Sequence, residues 1–198
     1  MTRLPAKAVL FDLDGTLVDS FDAIEESYLA TLAEMGRPPI ARRDLKRLVG
    51  PALIESWRTL VPPEAAEEGV RRYRQHYARV FMARSRPYPG AREALAEMAR
   101  GGRGLAVVTN KKGSFARDLV EGLGLGEHVR LTVGDGDGPP PKPAPDMLFH
   151  ALERLGVAPE DAIYVGDSPG DVDVALLAGM VAVGVTTGFY SEAELAAR

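Results

Sequence analysis

The sequence predicts an α/β protein in which a parallel sheet is covered by helices on both faces and interrupted by an all-helical insert. Three observations support this fold class. Short apolar runs recur along the chain, helical patterns lie between the later runs, and one long segment after the first run contains no convincing strand. Strands that alternate with helices form parallel sheets, because each return connection crosses a face of the sheet. We therefore expect a Rossmann-like core with a helical addition.

Five apolar runs are the predicted strands of this sheet. Each is short and almost continuously apolar, as expected for a strand that is buried on both faces. The runs occupy residues 7–13, 104–109, 129–133, 161–167 and 181–185. The spacing of apolar residues between the later runs predicts helices over residues 91–100, 114–123, 144–155 and 172–178. Ligand sites in sheets of this kind lie beyond the carboxyl ends of the strands.

The segment after the first run breaks the alternation of strands and helices. Proline pairs interrupt it, and its apolar spacing predicts helices over residues 21–35, 43–48, 53–60 and 64–83. The stretch RPYPG that follows is typical of a return linker. We therefore expect a helical cap domain over residues 19–87 and a catalytic core formed by residues 1–18 and 88–198.

The composition is that of an ordinary globular protein and excludes several functions. The chain has 198 residues, is 45% hydrophobic, and carries a net charge of -4, which argues against a general nucleic-acid binder. It has no cysteine, which excludes disulfides and thiolate metal sites. No stretch approaches the ~18 apolar residues of a membrane span, and no signal peptide is evident. We expect a cytoplasmic monomer or homodimer.

Polar side chains follow four of the predicted strands, at the point where each strand ends. Because the carboxyl ends of parallel strands meet at one edge of the sheet, we expect these side chains to converge. They are Asp12 and Asp14 after the first strand, Thr109, Asn110 and Lys111 after the second, Lys142 in the loop after the third, and Asp167 and Asp171 after the fourth.

The residue types at this edge favour phosphoryl chemistry with a metal ion. Asp12, Asp14 and Asp167 would repel one another if they were close and unpaired, and Mg²⁺ prefers carboxylate, carbonyl and water ligands. Thr109 offers a hydroxyl and Lys142 a point charge for a phosphoryl group. One aspartate can act as a nucleophile, and a second can protonate the leaving oxygen.

Four sequence blocks, taken together, resemble those of the haloacid dehalogenase-type phosphatases. They are DLDGT at 12–16, VVTNK at 107–111, KPAPD at 142–146 and YVGDSPGD at 164–171. They occur in this order at the predicted strand ends, and the resemblance spans nearly the whole chain. The helical insert lies where that family places its cap.

The resemblance implies a catalytic and metal-binding role for each matching aspartate. Asp12 would be the nucleophile that forms an aspartyl-phosphate, and Asp14 the general acid and base. Mg²⁺ would be bound by Asp12, the main-chain carbonyl of Asp14 and Asp167. Asp171 would support the metal site through water or through Lys142.

Within the family, the chain resembles the phosphoglycolate phosphatases, which implies 2-phosphoglycolate as the substrate. The stretches YPGAREAL and GDGDGPPPKPAPD are similar to that branch. The residues implied in substrate binding are Thr109, Lys142, Asn110 and Gly15. In the insert, the stretch KRLVG resembles the specificity loop of the family's caps, so Arg47 or Lys46 would meet the substrate carboxylate.

Other functions remain open from the sequence. A phosphatase for sugar phosphates, nucleotides or pyrophosphate would use the same residues. A phosphomutase of this fold would return the phosphoryl group to a sugar instead of to water. A catalytically idle protein that only binds a phosphorylated ligand is the third alternative, although such a protein has no need of an acid at Asp14.

Overall fold

The computed structural model describes residues 6–198, which form seven strands and eight α-helices. The strands are β1 (Ala8–Phe11), β2 (Val18–Asp19), β3 (Arg86–Pro87), β4 (Gly104–Lys112), β5 (Leu131–Asp135), β6 (Ala162–Gly166) and β7 (Val181–Gly184). The helices are α1 (Phe21–Glu34), α2 (Leu53–Leu60), α3 (Ala66–Val80), α4 (Ala91–Arg100), α5 (Gly113–Gly122), α6 (Asp146–Leu155), α7 (Pro169–Leu177) and α8 (Glu192–Ala196). Five strands form a parallel sheet in the order β5-β4-β1-β6-β7. This topology confirms the predicted fold class.

Alternate residues of the central strand β1 face two separate hydrophobic clusters. Leu10 packs with side chains of α6 and α7 on one face, whereas Val9 and Phe11 pack with side chains of α4 and α5 on the other. Neighbouring residues of a strand point to opposite faces, so a continuous apolar run can bury both. Helices therefore cover the two faces of the sheet, as the sequence predicts.

The first strand is shorter than predicted, and the difference concerns the site. The strand ends at Phe11, because the chain then turns and the carbonyl of Leu13 accepts a hydrogen bond from the backbone N–H of Leu17 at 3.0 Å. Asp12 and Asp14 consequently lie in the loop after β1. Because neither aspartate belongs to the strand, the alternation of side chains along a strand does not determine which way they point.

Two further predicted elements differ from the observed ones. Strand β5 lies two residues later than the predicted 129–133, because its pairing with β4 begins at Leu131. The predicted helix at 43–48 is a 3₁₀-helix at Arg42–Arg47. A 3₁₀-helix completes a turn in three residues, so its side chains point in different directions from those of an α-helix.

The insert, defined here as residues 20–85, is attached to the core through a small antiparallel ribbon. Strands β2 and β3 pair where the insert leaves and rejoins the core, and Arg86 Nη2 lies 2.7 Å from Asp19 Oδ2. The sequence predicts no strand at these positions. Strands of two residues are too short to show the alternation of apolar and polar residues by which a strand is recognised.

Helices α1, α2 and α3 of the insert pack around an aromatic core of their own. Trp57 is fully buried, with its ring centroid 5.3 Å from that of Tyr28 and 6.4 Å from that of Tyr73. Gly69 on α3 permits this approach, because a Cβ there would lie 2.5 Å from the indole ring. The insert thus has a hydrophobic core that is separate from the two faces of the sheet.

The C-terminal segment, residues 187–198, touches both the core and the insert. The hydroxyl of Thr187 donates a hydrogen bond to the carbonyl of Gly15 in the core at 2.6 Å. Two residues later, the ring of Phe189 lies 4.2 Å from the ring of Phe21 on α1, measured between centroids. The segment therefore forms a second connection between core and insert.

Helix α8 belongs to this segment and is not predicted from the sequence. Ser191 caps its first turn, and Glu194 forms an ion pair with Lys46 of the insert. The hydroxyl of Tyr190 donates a hydrogen bond to the carbonyl of Lys46 at 3.1 Å. Among the helices of residues 6–198, none is long and apolar enough to cross a membrane.

Candidate active site

Three neighbouring strands end at one rim of the sheet and place polar side chains there. Asp12 follows β1, Thr109 lies near the end of β4, and Asp167 follows β6, and all three are buried. The backbone N–H of Asp12 continues the ladder by donating to the carbonyl of Val165 at 2.9 Å. The parallel register brings the three side chains to the same edge.

Asn110 anchors the loop that carries Lys142 to the end of β4. Its side-chain Oδ1 accepts a hydrogen bond from the backbone N–H of Lys142 at 2.8 Å, and its Nδ2 donates to the Lys142 carbonyl at 2.8 Å. The same Nδ2 donates to the carbonyl of Gly50 in the insert at 2.9 Å. Asn110 therefore fixes the backbone of Lys142 and links it to the insert.

The ammonium group of Lys142 is buried among three oxygen-bearing side chains. It lies 2.7 Å from Asp171 Oδ1, 3.2 Å from Asp12 Oδ1 and 2.8 Å from the hydroxyl of Tyr164. The Tyr164 hydroxyl in turn donates to the carbonyl of Val108 at 2.8 Å. Burial by itself would lower the pKa of Lys142, but the two carboxylates raise it well above its usual value. Lys142 thus brings a permanent positive charge to the rim.

Asp12, Asp167 and Asp171 form an acidic cluster beside this ammonium group. One oxygen of each lies within 4.8 Å of the others, and all three residues are buried. Burial raises the pKa of Asp12 to about 6 although Lys142 opposes the shift. Burial, with repulsion from Asp12, raises the pKa of Asp167 to about 8. A divalent cation would relieve this repulsion.

The hydrogen bonds of the cluster indicate which oxygens can accept a cation. Asp171 is occupied at both oxygens, since Oδ1 faces Lys142 and Oδ2 accepts from the backbone N–H of Ser168 at 3.1 Å. Asp12 Oδ1 is buried and accepts no hydrogen bond from the described residues. Asp167 Oδ1 accepts one hydrogen bond, from the hydroxyl of Thr16 at 3.0 Å. An all-oxygen donor set with open positions on Asp12 and Asp167 fits Mg²⁺.

The carboxylate of Asp14 lies apart from this cluster and has partners of its own. Its Oδ2 is 2.8 Å from Lys111 Nζ, and its Oδ1 accepts a hydrogen bond from the hydroxyl of Ser20. Burial by itself would lower the pKa of Lys111, but the Asp14 carboxylate raises it above its usual value. The loop after β1 therefore presents two carboxylates, each beside a different buried lysine.

Gly15 directly follows Asp14, and the shape of the loop after β1 requires a glycine there. Its φ of 87° lies in the left-handed region, which favours glycine. A Cβ at this position would lie 2.3 Å from Asp167 Oδ2. Its carbonyl accepts the hydrogen bond from Thr187 described above. Gly15 thus lets Asp167 approach the loop that carries Asp12 and Asp14.

A narrow cleft, with a cavity volume of about 70 Å³, lies between this rim and the insert. The core contributes mainly polar residues to its wall, and the insert contributes mainly apolar and aromatic ones. Those from the core are Asp12, Asp14, Thr109, Asn110, Lys111, Lys112 and Phe115, and those from the insert include Ile24, Tyr28, Leu48, Leu53, Tyr73, Arg74 and Tyr77. A small ligand in this cleft would therefore contact the rim and the insert at the same time.

The structure brings most of the predicted site residues together, with one exception. The residues that meet at the rim or the adjoining cleft are Asp12, Asp14, Gly15, Thr109, Asn110, Lys142, Asp167 and Asp171. Arg47 is exposed at the end of the 3₁₀-helix and does not line the cleft. Its neighbour Lys46 is held by Glu194 on α8.

Several residues of the site are not singled out by the sequence analysis as site residues. Thr16 and Tyr164 lie inside the sequence blocks, next to predicted site residues, so proximity could have drawn attention to them. Lys111 is among the side chains predicted to converge at the strand ends, but the sequence assigns it no role. Tyr77 lies on a helix whose spacing predicts only a buried face. Ser20 carries no signal, because its contact with Asp14 depends on the turn that follows β1.

The chain is similar to a large set of known proteins. The family model described as haloacid dehalogenase-like hydrolase matches residues 9–185. Phosphoglycolate phosphatase from Rhodospirillum rubrum is 37% identical over 201 residues, covering 94% of this chain and 82% of that protein. Phosphoglycolate phosphatase from Pseudomonas savastanoi is 35% identical over 198 residues, covering 94% and 71%. A haloacid dehalogenase-like family hydrolase from Streptococcus pneumoniae has a TM-score of 0.89 and 29% identity, covering 98% and 90%.

Proposed function

Because the chain belongs to the haloacid dehalogenase-like hydrolase family, we propose that it is a Mg²⁺-dependent phosphomonoester hydrolase whose preferred substrate is 2-phosphoglycolate. The observation that carries this proposal is the position of Asp12. It lines the cleft with one oxygen free of hydrogen bonds from the described residues, and Lys142 Nζ is 3.2 Å from that oxygen. A carboxylate so placed can attack phosphorus while the ammonium group stabilises the charge on the phosphoryl oxygens.

The proposed reaction has two halves that share the same residues. Asp12 attacks phosphorus and forms an aspartyl-phosphate, while the ester oxygen leaves with a proton from Asp14. Asp14 then takes a proton from water, and the resulting hydroxide attacks the phosphorus. Phosphate is released and the Asp12 carboxylate is restored. Thr109 and Lys142 hold the phosphoryl group in both halves.

We propose that Asn110 and Gly15 position other groups of the site. The hydrogen bonds described for the Asn110 side chain all go to backbone atoms of Lys142 and Gly50. Gly15 leaves room for the carboxylate of Asp167. Both residues therefore shape the phosphoryl site without a required contact to the substrate.

Mg²⁺ would be held by Asp12 and Asp167, together with the main-chain carbonyl of Asp14 that the family resemblance implies. The open oxygens on Asp12 and Asp167 support this assignment. Asp171 is engaged by Lys142 and Ser168, so we assign it to holding Lys142 in place. When bound, Mg²⁺ supplies positive charge that offsets the negative charge of the phosphoryl oxygens.

We propose that residues 19–87 form a cap over the core, which consists of residues 1–18 and 88–198. The support is the cleft, since its apolar and aromatic wall comes mainly from the insert and faces Asp12. Exclusion of bulk water by such a wall strengthens the electrostatic interactions at the rim. Movement of the cap would admit the substrate and release the products.

Phosphate release from a panel of phosphomonoesters, with Mg²⁺ and with EDTA, tests the proposal. The panel holds 2-phosphoglycolate, hexose phosphates, nucleoside monophosphates and pyrophosphate. We expect a clear preference for 2-phosphoglycolate that is lost with EDTA. Similar rates of phosphate release from all members of the panel would support the hydrolase but refute 2-phosphoglycolate as its preferred substrate. Phosphoryl transfer between sugars without phosphate release would indicate a mutase, and binding without turnover an idle protein.

A further inference from the structure

Lys111 is a buried cation at the cleft that the reaction above does not use. Its side chain is 6% exposed, and its ammonium group lies 2.8 Å from Asp14 Oδ2. The same group lies 4.4 Å from the centroid of the Tyr77 ring, which the insert places beneath it. A cation over an aromatic face is held in place, so the direction of this ammonium group is fixed by both core and insert.

Tyr77 adds an unused hydrogen-bond donor beside this lysine. The residue is 1% exposed, lines the cleft, and its hydroxyl makes no hydrogen bond with the described residues. Burial raises the pKa of Tyr77, and Lys111 and Ser85 lie close enough to its hydroxyl to oppose the shift. A buried donor without a partner is costly unless a ligand satisfies it.

The distance between Lys111 and Asp14 limits what the pair can recognise. In the proposed reaction Asp14 lies within about 3 Å of the leaving oxygen, so Lys111 Nζ is at most about 6 Å from that oxygen. In an ester of the type O–CH₂–COO⁻, bond lengths place a carboxylate oxygen about 3 Å from the ester oxygen. A carboxylate on the adjacent carbon therefore falls within reach of Lys111.

We propose that the ammonium group of Lys111 and the hydroxyl of Tyr77 form a subsite for the substrate carboxylate, which selects phosphomonoesters of short 2-hydroxy acids. The inference rests on the proposed hydrolase function and adds the residues that choose its substrate. It replaces the expectation that Arg47 meets this carboxylate. Since Tyr77 belongs to the insert and Lys111 to the core, the carboxylate joins the two when it binds.

The other basic side chains of the described cleft are less suited to this role. Arg74 also has a buried Nε without a hydrogen bond to the described residues, but its charge is offset by Asp135 Oδ2, which lies 2.6 Å from Nη2. The ammonium group of Lys112 lies 5.5 Å from the Phe115 ring, and its side chain is exposed. Lys112 therefore serves as the matched control for a loss of positive charge near the cleft.

The test compares 2-phosphoglycolate with ethyl phosphate, which has the same ester without the carboxylate. The measured quantity is the ratio of the two kcat/KM values in the wild type and in Lys111→Met, Lys111→Arg and Lys112→Met. We expect Lys111→Met to lower the ratio by about 10- to 100-fold, mainly through the KM for 2-phosphoglycolate. Lys111→Arg should retain most of the ratio, and Lys112→Met all of it.

The outcomes separate this inference from the proposed function. A wild type without phosphatase activity would overturn the hydrolase itself. A wild type that prefers 2-phosphoglycolate, together with a Lys111→Met ratio that is unchanged, would overturn only the subsite. If Lys111→Met fails to fold, Lys111→Gln in an Asp12→Asn background replaces it, with calorimetric binding of 2-phosphoglycolate and ethyl phosphate as the readout. Equal loss of binding for both ligands there would also overturn the subsite.

Discussion

The rim of the sheet and the facing wall of the insert differ in how far their buried polar groups are connected to one another. At the rim, Lys142 contacts Asp12, Asp171 and Tyr164, and its loop is tied down by Asn110. On the insert wall, the hydroxyl of Tyr77 has no hydrogen-bond partner among the described residues. The rim is thus a connected network that exists before a ligand binds. The insert wall keeps a hydroxyl that is available to a ligand.

This difference predicts how the two regions respond to substitution. A connected network of buried charges is costly to break, because each lost partner leaves another charge unpaired. An unpartnered group costs little to remove, because no partner is left behind. Variants at the rim should therefore affect chemistry strongly, and stability as well where they remove the ammonium group of Lys142. Variants on the insert wall should affect substrate choice.

The largest effect is expected for Asp12→Asn, which removes the proposed nucleophile at the rim. An amide cannot form the aspartyl-phosphate, so phosphate release from 2-phosphoglycolate should fall by at least about 1000-fold. Because Asn has nearly the same shape and lacks the charge that repels Asp167 and Asp171, the melting temperature should stay within a few degrees. Asp173→Asn on α7, where the side chain is exposed, is the matched control. Near-normal turnover of Asp12→Asn would refute the assignment of the nucleophile.

The next effect is the loss of stability in Lys142→Met. The substitution leaves the buried carboxylates of Asp12 and Asp171 without their cation, so the free energy of unfolding should fall by about 3 to 5 kcal/mol. Urea denaturation measures the change. Lys112→Met removes an exposed ammonium group and should cost less than about 0.5 kcal/mol. Equal stability of the two variants would show that the network does not hold the rim together.

The rim should also respond to pH in the protein without metal. Because folding raises the pKa of Asp167 from 3.8 to about 8, its contribution to stability is full below about pH 4 and is lost as the pH rises through 8. Mg²⁺ needs the ionised carboxylate, so its affinity should rise about tenfold per pH unit up to pH 8. Calorimetric titration with Mg²⁺ from pH 6 to 9 measures this slope.

Asp167→Asn provides the control for the pH dependence. It should weaken Mg²⁺ binding at every pH and remove the part of the slope that ends near pH 8. Asp12, with its pKa at about 6, would remain as the group that titrates in the lower part of the range. An affinity for Mg²⁺ that stays constant from pH 6 to 9 would contradict the assignment of Asp167 as a ligand.

The smallest effect is expected on the insert wall, for Tyr77→Phe. The ring beneath Lys111 remains, so stability should change by less than about 1 kcal/mol, while kcat/KM for 2-phosphoglycolate falls about three- to tenfold. Tyr190→Phe is the contrast, because its hydroxyl donates to the carbonyl of Lys46. It should lower stability by about 1 kcal/mol and leave kcat/KM unchanged. A large loss of stability in Tyr77→Phe would remove the distinction between the two regions.

The sequence could predict the rim because its residues follow buried strands directly. An apolar run such as the one before Asp12 identifies a strand, and the alternation with helices makes the sheet parallel. Parallel strands bring Asp12, Thr109 and Asp167 to one edge, and this does not depend on the conformation of the loops between the strands. The convergence depends on topology, which the pattern of the whole chain determines.

The pairing and direction of individual side chains around the cleft could not be predicted to the same degree. The ion pair between Asp14 and Lys111 depends on the turn after β1 and on the last residues of β4. The direction of Arg47 depends on whether its segment is an α-helix or the observed 3₁₀-helix, since the two differ by about 20° per residue. A change from an α-helix to a 3₁₀-helix leaves the pattern of apolar residues in the sequence unchanged, but it can turn a side chain away from the cleft.

The C-terminal segment has a consequence for the mechanics of the cleft. The insert is joined to the core by the ribbon of β2 and β3 and, independently, by the packing of Phe189 against Phe21. A rotation of the insert about the line through these two attachments would open the cleft while both stay intact, and it would break the contacts across the cleft, such as that of Asn110 with Gly50. Shortening the chain before Phe189 would remove one of the two points that define this axis.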